Sequence, residues 1–229
     1  MNSTKIALLA AAASVAMGGA AFAQDDGPSL SFNVGAATDY VFRGVSQTDE
    51  NAQIYGGADL VSGIFYGGVW ASNVDFGDST DAEIDGYVGV TPSAGPVALD
   101  FGAIYYGYVN APSGADYGYW EFKASGTVPV GPATLGAAAY YSPEFFGGTG
   151  EALYYEANGS FPIGEKVSVS AALGHQELDG PGDYNTWNLG VGYAINDKIG
   201  LDLRYHDTDE HNFGKIYESR VVAGLKATF

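Results

Sequence analysis

The sequence predicts an all-β fold, a single up-and-down antiparallel transmembrane β-barrel of about twelve strands. Three observations support this prediction. An export signal opens the chain, the remainder alternates in polarity with a period of two residues, and short and long connections alternate between the runs. The composition agrees, because 34 glycines and 17 tyrosines in 229 residues suit pleated strands better than helices.

Residues 1–23 form a predicted secretory signal peptide. Lys5 precedes the apolar run IALLAAAASVAMGGAAFA, which ends in Ala21, Phe22 and Ala23, a small-x-small cleavage pattern. The mature barrel domain is therefore predicted over residues 24–229. No later stretch is long and apolar enough to predict a membrane helix.

The charge balance limits the partners. Removing Lys5 with the signal leaves 8 of the 9 basic residues against 27 acidic ones, a net charge near −19. Such a field makes nucleic acid an implausible partner. The chain has no cysteine, so neither a disulfide framework nor a thiolate site is predicted, and nothing in the sequence implies a cofactor.

Each predicted strand is a run of roughly ten residues with two unlike faces. The runs fall at 29–43, 52–61, 64–74, 83–91, 97–109, 117–128, 133–141, 151–161, 167–177, 184–195, 199–207 and 217–229.

The connections alternate as regularly as the runs. Tight links follow the even-numbered runs, namely SG, PSAGP, PVGP, PIGEK and NDK, whereas longer polar stretches such as GVSQTDEN and TDEHNFGK follow the odd-numbered runs. An even number of strands with both termini at the short-turn end predicts a bacterial outer-membrane barrel with a periplasmic N-terminus. Its expected surroundings are outer-membrane lipid and lipopolysaccharide.

The phase of each run predicts its two faces. In the tenth run, Trp187 and Leu189 share the apolar phase, and Thr186 and Asn188 share the other. We expect the apolar phase to face lipid and the charged phase to face the lumen. The third and seventh runs have two similar faces, so the sides of Tyr66 and Trp70 stay open. The last run ends at Phe229, on the apolar phase, which resembles the carboxy-terminal signal of outer-membrane barrels.

The inward phase carries more acids than bases. On this phasing the acids are Asp39, Asp59, Glu83, Asp85, Asp100, Glu121, Glu156, Asp202 and Glu218, and the bases are Arg43, Lys123, Arg204, Arg220 and Lys226. This excess predicts a lumen that favours cations, unless the charges pair and plug the barrel. Inward tyrosines either line a path for sugars and organic cations or fill volume; they are Tyr55, Tyr87, Tyr106, Tyr108, Tyr117, Tyr119 and Tyr154.

The candidate pore-lining residues are Asp39, Arg43, Asp59, Glu83, Asp85, Asp100, Tyr106, Tyr108, Glu121, Lys123, Glu156, Asp202 and Arg204.

Four segments together carry a family resemblance. SFNVGAATDYVFRGVSQTD, YGGVWASNVDF (66–76), YYSPEFFG (140–147) and the closing SRVVAGLKATF resemble the TorF family of predicted porins. The resemblance spans the mature chain and implies an outer-membrane β-barrel with a channel role. It brings no catalytic residues and leaves the solute undefined.

The stretch TDYVFRGVSQTDEN (38–51) is predicted to form the outer end of the first strand and the loop after it. If Tyr40 and Phe42 share the phase of Leu30, they belong to an interfacial aromatic girdle. Asp39 and Arg43 then face the lumen. They either tune ion passage or brace the wall by pairing with each other or with neighbouring strands.

The predicted function is passive diffusion of small neutral or cationic solutes across the outer membrane. Twelve strands give a backbone radius of about 12 Å, which leaves room for small solutes. The alternative is a plugged structural or surface-binding barrel without conductance. The sequence leaves the solute and the oligomeric state open.

Enzymatic activity is not predicted. No strand shows the His-x-Ser pairing that a lipid-facing hydrolase would need. The weak candidate for a metal site is the loop HDTDEH, with His206, Asp207, Asp209, Glu210 and His211, although a solvated acidic loop explains the same residues.

Overall fold

The computed structural model describes residues 27–229, and the predicted signal peptide lies outside this range. Twelve long strands build the described part of the chain. They are β1 Ser29–Ala37, β2 Gln53–Ser62, β3 Phe65–Asn73, β4 Ala82–Val90, β5 Val97–Val109, β6 Tyr119–Val130, β7 Ala133–Ser142, β8 Ala152–Ile163, β9 Val167–Leu178, β10 Tyr184–Ala194, β11 Ile199–Thr208 and β12 Arg220–Thr228.

The twelve strands close into one antiparallel barrel. Each pairs with its neighbours in sequence, and β1 also pairs with β12, with Asn33 opposite Thr228. Closure satisfies the hydrogen-bonding groups of what would otherwise be two open sheet edges. The predicted fold class is confirmed. Within residues 27–229, no helix has the length and hydropathy that crossing a membrane requires.

The two ends of the barrel differ as predicted. The short-turn end carries the connections 63–64, 91–96, 131–132, 164–166 and 195–198, and the long-loop end carries 38–52, 74–81, 110–118, 143–151, 179–183 and 209–219. Gly63, Gly131 and Gly164 adopt left-handed backbone angles in three of the tight turns, a conformation that other residues rarely tolerate.

The outward face of the barrel is apolar. Ile54 and Leu173 each expose 68% of their surface, as expected of side chains that meet lipid rather than a protein core. Outward aromatics gather near both ends. Tyr105, Trp120, Tyr141, Tyr155 and Tyr205 lie towards the long-loop end, and Phe65, Phe161, Tyr193 and Phe229 lie towards the short-turn end.

Glycine on the inner face lets tyrosine rings lie flat against the wall. The Tyr66 side chain covers Gly89 and Gly102 on the two following strands so closely that a Cβ on Gly89 would overlap its ring and a Cβ on Gly102 would overlap its hydroxyl. The Tyr154 ring covers Gly174 in the same way. The pattern recurs for Tyr55 over Gly35, Tyr87 over Gly68, and the guanidinium of Arg204 over Gly190. On the inner face, glycine and tyrosine therefore act together to keep these bulky side chains close to the wall.

The third and seventh runs, whose faces the sequence left ambiguous, have defined orientations. Tyr66 and Trp70 point inwards on β3, where Trp70 packs against Tyr55 at 6.0 Å between ring centroids. On β7, Tyr140 points inwards, and Tyr141 points outwards with 40% of its surface exposed.

The first and last strands are shorter than predicted. β1 ends at Ala37 rather than at residue 43, because the chain then turns into the barrel. β12 begins at Arg220, after two 3₁₀ turns, His211–Phe213 and Lys215–Tyr217. Glu218 is exposed beside the second turn, so its assignment to the lumen is wrong.

Two alanine substitutions on β4 test the contact between glycine and tyrosine. Gly89→Ala should lower the free energy of unfolding by about 1–3 kcal/mol, because the new methyl group displaces the Tyr66 ring and breaks its hydrogen bond to Asp100. Gly86→Ala is the matched control, since no atom lies within 4 Å of a Cβ there, and it should change that free energy by no more than about 0.5 kcal/mol. Urea unfolding in micelles provides the measurement. Equal effects at the two positions would contradict the account.

Candidate functional site

A hairpin folds into the lumen after β1. Val41–Phe42 pairs with Val45–Ser46, and Arg43 and Gly44 form the two-residue turn between them. Both turn residues have positive φ, 49° and 84°, as two-residue hairpin turns of the favoured hand require. A left-handed conformation costs a residue other than glycine about 1 kcal/mol, so the contacts of Arg43 must offset a local backbone cost. We call residues 39–48 the lumen hairpin.

Arg43, at the tip of the lumen hairpin, reaches the opposite wall. One terminal nitrogen donates to both carboxylate oxygens of Glu121 at 2.8 Å, and the other donates to Gln176 Oε1 at 3.0 Å. The guanidinium carbon lies 5.1 Å from the centroid of the Tyr140 ring and 4.4 Å from that of Tyr154. These four partners lie on β6 to β9, on the opposite side of the barrel from β1. The hairpin therefore spans the lumen.

Gly44 allows the tip to approach two further strands. A Cβ at this position would lie 2.5 Å from Thr186 Oγ1 on β10 and 2.7 Å from Thr208 Cγ2 on β11. Only glycine fits this contact without displacing either threonine, and only glycine adopts this φ freely.

The base of the lumen hairpin is tied to the near side of the barrel. The carboxylate of Asp39 accepts hydrogen bonds from Ser46 at 2.7 Å and Thr48 at 2.8 Å, and pairs with Arg220 of β12 at 3.0 Å. The Tyr40 hydroxyl donates to Glu83 of β4 at 2.7 Å. Most of these contacts are polar, although the aliphatic side chains Val41 and Val45 are also buried.

The expectation that Tyr40 and Phe42 join an outer aromatic girdle is wrong. Tyr40 is 5% exposed and its ring packs on Trp70 inside the barrel, at 5.5 Å between centroids. Phe42 packs on Tyr106 at 5.9 Å. The reason is the chain reversal at Ala37, which carries the segment off the wall, together with a buried carboxylate partner for the Tyr40 hydroxyl that lipid could not supply.

The hairpin divides the lumen into two halves. Towards the long-loop end, the inner wall residues Glu83, Tyr106 and Glu121 are at most 2% exposed. Towards the short-turn end, Glu156 and Asp202 remain partly exposed. The structure thus has a filled half and a polar recess that reaches the short-turn end.

Several charges of the recess are paired. Lys123 Nζ bonds Asp100, and Arg204 bonds Asp202 at 3.1 Å. Asp59 and Glu156 instead accept hydrogen bonds from neutral groups: from Tyr87 and Asn33 for Asp59, and from Tyr154 and Asn158 for Glu156. Acidic character therefore persists in the recess after the ion pairs are counted.

All thirteen candidate pore-lining residues lie inside the barrel. Asp39 and Arg43 lie on the lumen hairpin, where they pair with Arg220 and Glu121 rather than with each other. The other eleven lie on the inner face of the wall. Asp85 is fully buried, and neither of its carboxylate oxygens has a hydrogen-bond partner in the described structure. A conducting role for these residues stays a prediction.

Sequence reasoning missed the hairpin and several of its partners. Gln176 and Arg220 hold it, yet neither was singled out as a partner of the stretch 38–51. The available signal was Arg43 and Gly44 between VF and VS, two short β-prone pairs flanking a possible two-residue turn.

The long-loop end is covered by packed aromatic side chains. The Tyr117 and Phe146 rings stack at 4.3 Å, and Phe76 meets both at 5.8 Å and 5.3 Å. These rings come from three different loops, so they join the loops over one side of the barrel.

The residues of the candidate metal loop do not converge. His206 faces the lumen and is buried, whereas Asp207 bonds Tyr205 and His211. Asp209 bonds Asn185 instead. Among residues 27–229, no group of three or more such side chains is placed to hold a metal ion.

Comparison with protein families gives one match, which covers residues 22–229. The matching model is described as "Bacterial protein of unknown function (Gcw_chp)". The chain belongs to the Gcw_chp family. The TorF assignment stays a prediction. A search of curated proteins by sequence found no match.

Solved structures share the fold of this Gcw_chp member at low sequence identity. The KdgM porin matches with a TM-score of 0.62 at 9% identity, covering 87% of this chain and 99% of that one. The NanC porin matches with 0.57 at 9% identity over 88% and 99%. An outer-membrane channel from Pseudomonas putida F1 matches with 0.51 at 9% identity over 90% and 96%. The barrel thus has the fold of outer-membrane porins.

A pH titration tests the loop that precedes β12. The Asp207 carboxylate accepts a hydrogen bond from His211 at 2.8 Å and raises the pKa of this imidazole above its ordinary 6.5. The pair should therefore stabilise the loop below the ordinary pKa and lose this contribution as the pH rises through the raised value. NMR of the imidazole protons should show the raised pKa, which returns to the ordinary range in Asp207→Asn. An unshifted wild-type titration would contradict the contact.

Proposed function

We propose that this protein is an outer-membrane channel for small solutes, in which passage requires the lumen hairpin to leave the filled half. The short turns then face the periplasm, as does the N-terminus, and the long loops face the exterior and its lipopolysaccharide. The apolar outward face supports a position in lipid.

The observation that carries the proposal is that one hairpin, rather than the wall, fills the long-loop half of the lumen. Its attachment is largely by side-chain hydrogen bonds and ion pairs, which water can replace when the segment moves. The wall behind it is already polar, with Glu83 and Glu121 on its inner face.

We further propose a preference for cations over anions. Without the hairpin, the acids of the inner wall are Asp59, Glu83, Asp85, Asp100, Glu121, Glu156 and Asp202, seven in all, against the four bases Lys123, Arg204, Arg220 and Lys226. Charge lining the narrow part of a pore selects ions of opposite sign. Neutral solutes of similar size remain compatible with this lining.

A closed structural barrel is the second candidate, because the buried hairpin also fits a permanent plug. Arg43 is 6% exposed and Glu121 is 1% exposed, as expected of a segment that stays in place. Membership of the TorF family, which the sequence resembles, would favour the channel.

Planar bilayer recording under a salt gradient distinguishes the two candidates. Replacing residues 40–47 with a Gly-Ser stretch of equal length removes the side chains that fill the lumen. The control replaces five residues, 111–115, with a Gly-Ser stretch in a loop at the same end. The hairpin-free barrel should conduct continuously with a cation-selective reversal potential, and the control should behave as the wild type does.

Silence from hairpin-free barrels whose insertion is demonstrated would overturn the channel and support the structural barrel. A reversal potential that indicates anion selectivity would contradict the proposed preference for cations but not the channel function.

A further inference from the structure

The residues of the barrel wall that contact Arg43 form a separate binding site. Glu121, Tyr140, Tyr154 and Gln176 come from the four consecutive strands β6 to β9, and they enclose the guanidinium of a residue that belongs to a separate segment. We call these four residues the cation cage. Its members are fixed by the barrel, whereas its occupant is carried by the hairpin.

The chemistry of the cation cage fits a guanidinium group. Both carboxylate oxygens of Glu121 accept hydrogen bonds from one terminal nitrogen of the guanidinium, and the Gln176 amide oxygen accepts one from the other at 3.0 Å. Two aromatic rings also lie against the planar cation. A quaternary ammonium has no N–H to donate, so it would leave the Gln176 oxygen without the hydrogen bond that Arg43 supplies, and Glu121 with only the one that the Tyr106 hydroxyl donates at 3.1 Å. The cage therefore discriminates between classes of organic cation.

The cation cage borders the polar recess. The Tyr154 hydroxyl donates to Glu156 at 3.0 Å, and Glu156 is partly exposed in the recess. A cation in the recess is thus one side chain away from the occupied site. Glu156 has no cationic partner among the ion pairs of the described residues, so it supplies an acidic approach to the cage.

We propose that the cation cage is a binding site for small solutes bearing a guanidinium group, and that Arg43 occupies it as an internal competitor. This deepens the proposed function by naming a solute class, and it rests on that function for its role in transport. A guanidinium solute that takes the place of Arg43 releases the tip of the lumen hairpin, so the solute favours the open barrel by its differential affinity for the vacated cage.

Arg43→Ala empties the cage and allows binding to be measured directly. Calorimetry on the refolded variant in detergent should show saturable binding of ethylguanidinium, which matches the end of an arginine side chain. Tetramethylammonium should bind at least about tenfold more weakly, because it forms no hydrogen bonds with the cage.

Two further variants locate the binding on the Arg43→Ala background. Glu121→Gln should abolish ethylguanidinium binding, whereas Glu165→Gln, the same change in the exposed turn 164–166, should retain it. Absence of saturable ethylguanidinium binding, equal binding of tetramethylammonium, or binding that survives Glu121→Gln would each overturn the proposal.

A second measurement keeps Arg43 in place. The chain has no cysteine, so Val45→Cys introduces a single thiol at a position that is 8% exposed in the hairpin. L-arginine should accelerate maleimide labelling of this thiol severalfold over L-lysine at equal ionic strength. Equal rates would overturn the competition between solute and Arg43.

Both measurements are independent of conductance. Guanidinium binding to a barrel that shows no conductance would support the cation cage and contradict the proposed channel function. Conductance without guanidinium binding would support the channel function and contradict the cation cage.

Discussion

The width of a twelve-stranded barrel is the constraint on which the rest of this structure depends. A backbone radius of about 12 Å is too wide for wall side chains alone to fill and too narrow for the broad aqueous channel of larger porins. The inner wall is kept thin by tyrosine rings lying flat over glycines, as Tyr66 does over Gly89. The space that remains is occupied in one half by the lumen hairpin.

The buried pair of Arg43 and Glu121 explains how that hairpin is positioned. Removing two charges from water is costly, and their attraction roughly offsets this cost when the remaining hydrogen-bonding groups are satisfied. Gln176 and the rings of Tyr140 and Tyr154 help to satisfy Arg43. Such a pair contributes more to the orientation of the hairpin than to net stability. Removing one partner is costly because the other charge stays buried, whereas moving both charged groups into water together costs far less. Such an attachment holds the hairpin in a defined orientation and is compatible with the displacement that we propose for the channel.

Much of the fold could be predicted because the physics of the wall is local. Alternation with a period of two, turn residues after even-numbered strands and an outward apolar phase each depend on a few neighbouring residues. The lumen hairpin could not be predicted in this way, because its position rests on partners far along the chain. Arg43 meets Glu121 and Gln176, and Asp39 meets Arg220. Alternation alone also extended β1 through Tyr40, since it cannot distinguish an outward aromatic from one that turns into the barrel.

A disulfide cross-link tests the central claim, that the hairpin tip contacts the far wall, most directly. A Cβ at Gly44 would lie 3.2 Å from the Cβ of Thr186, a few tenths of an ångström inside the usual spacing of a disulfide, and the chain has no other cysteine to compete. Cysteine at this left-handed position costs about 1 kcal/mol in backbone conformation, and its Cβ also requires the Thr208 methyl group, 2.7 Å away, to shift. The account predicts that Gly44→Cys with Thr186→Cys forms an intramolecular disulfide in the membrane-inserted protein under mild oxidation, seen as a mobility shift that reduction reverses. Two thiols that stay free, and are labelled as fast as exposed cysteines, would contradict it.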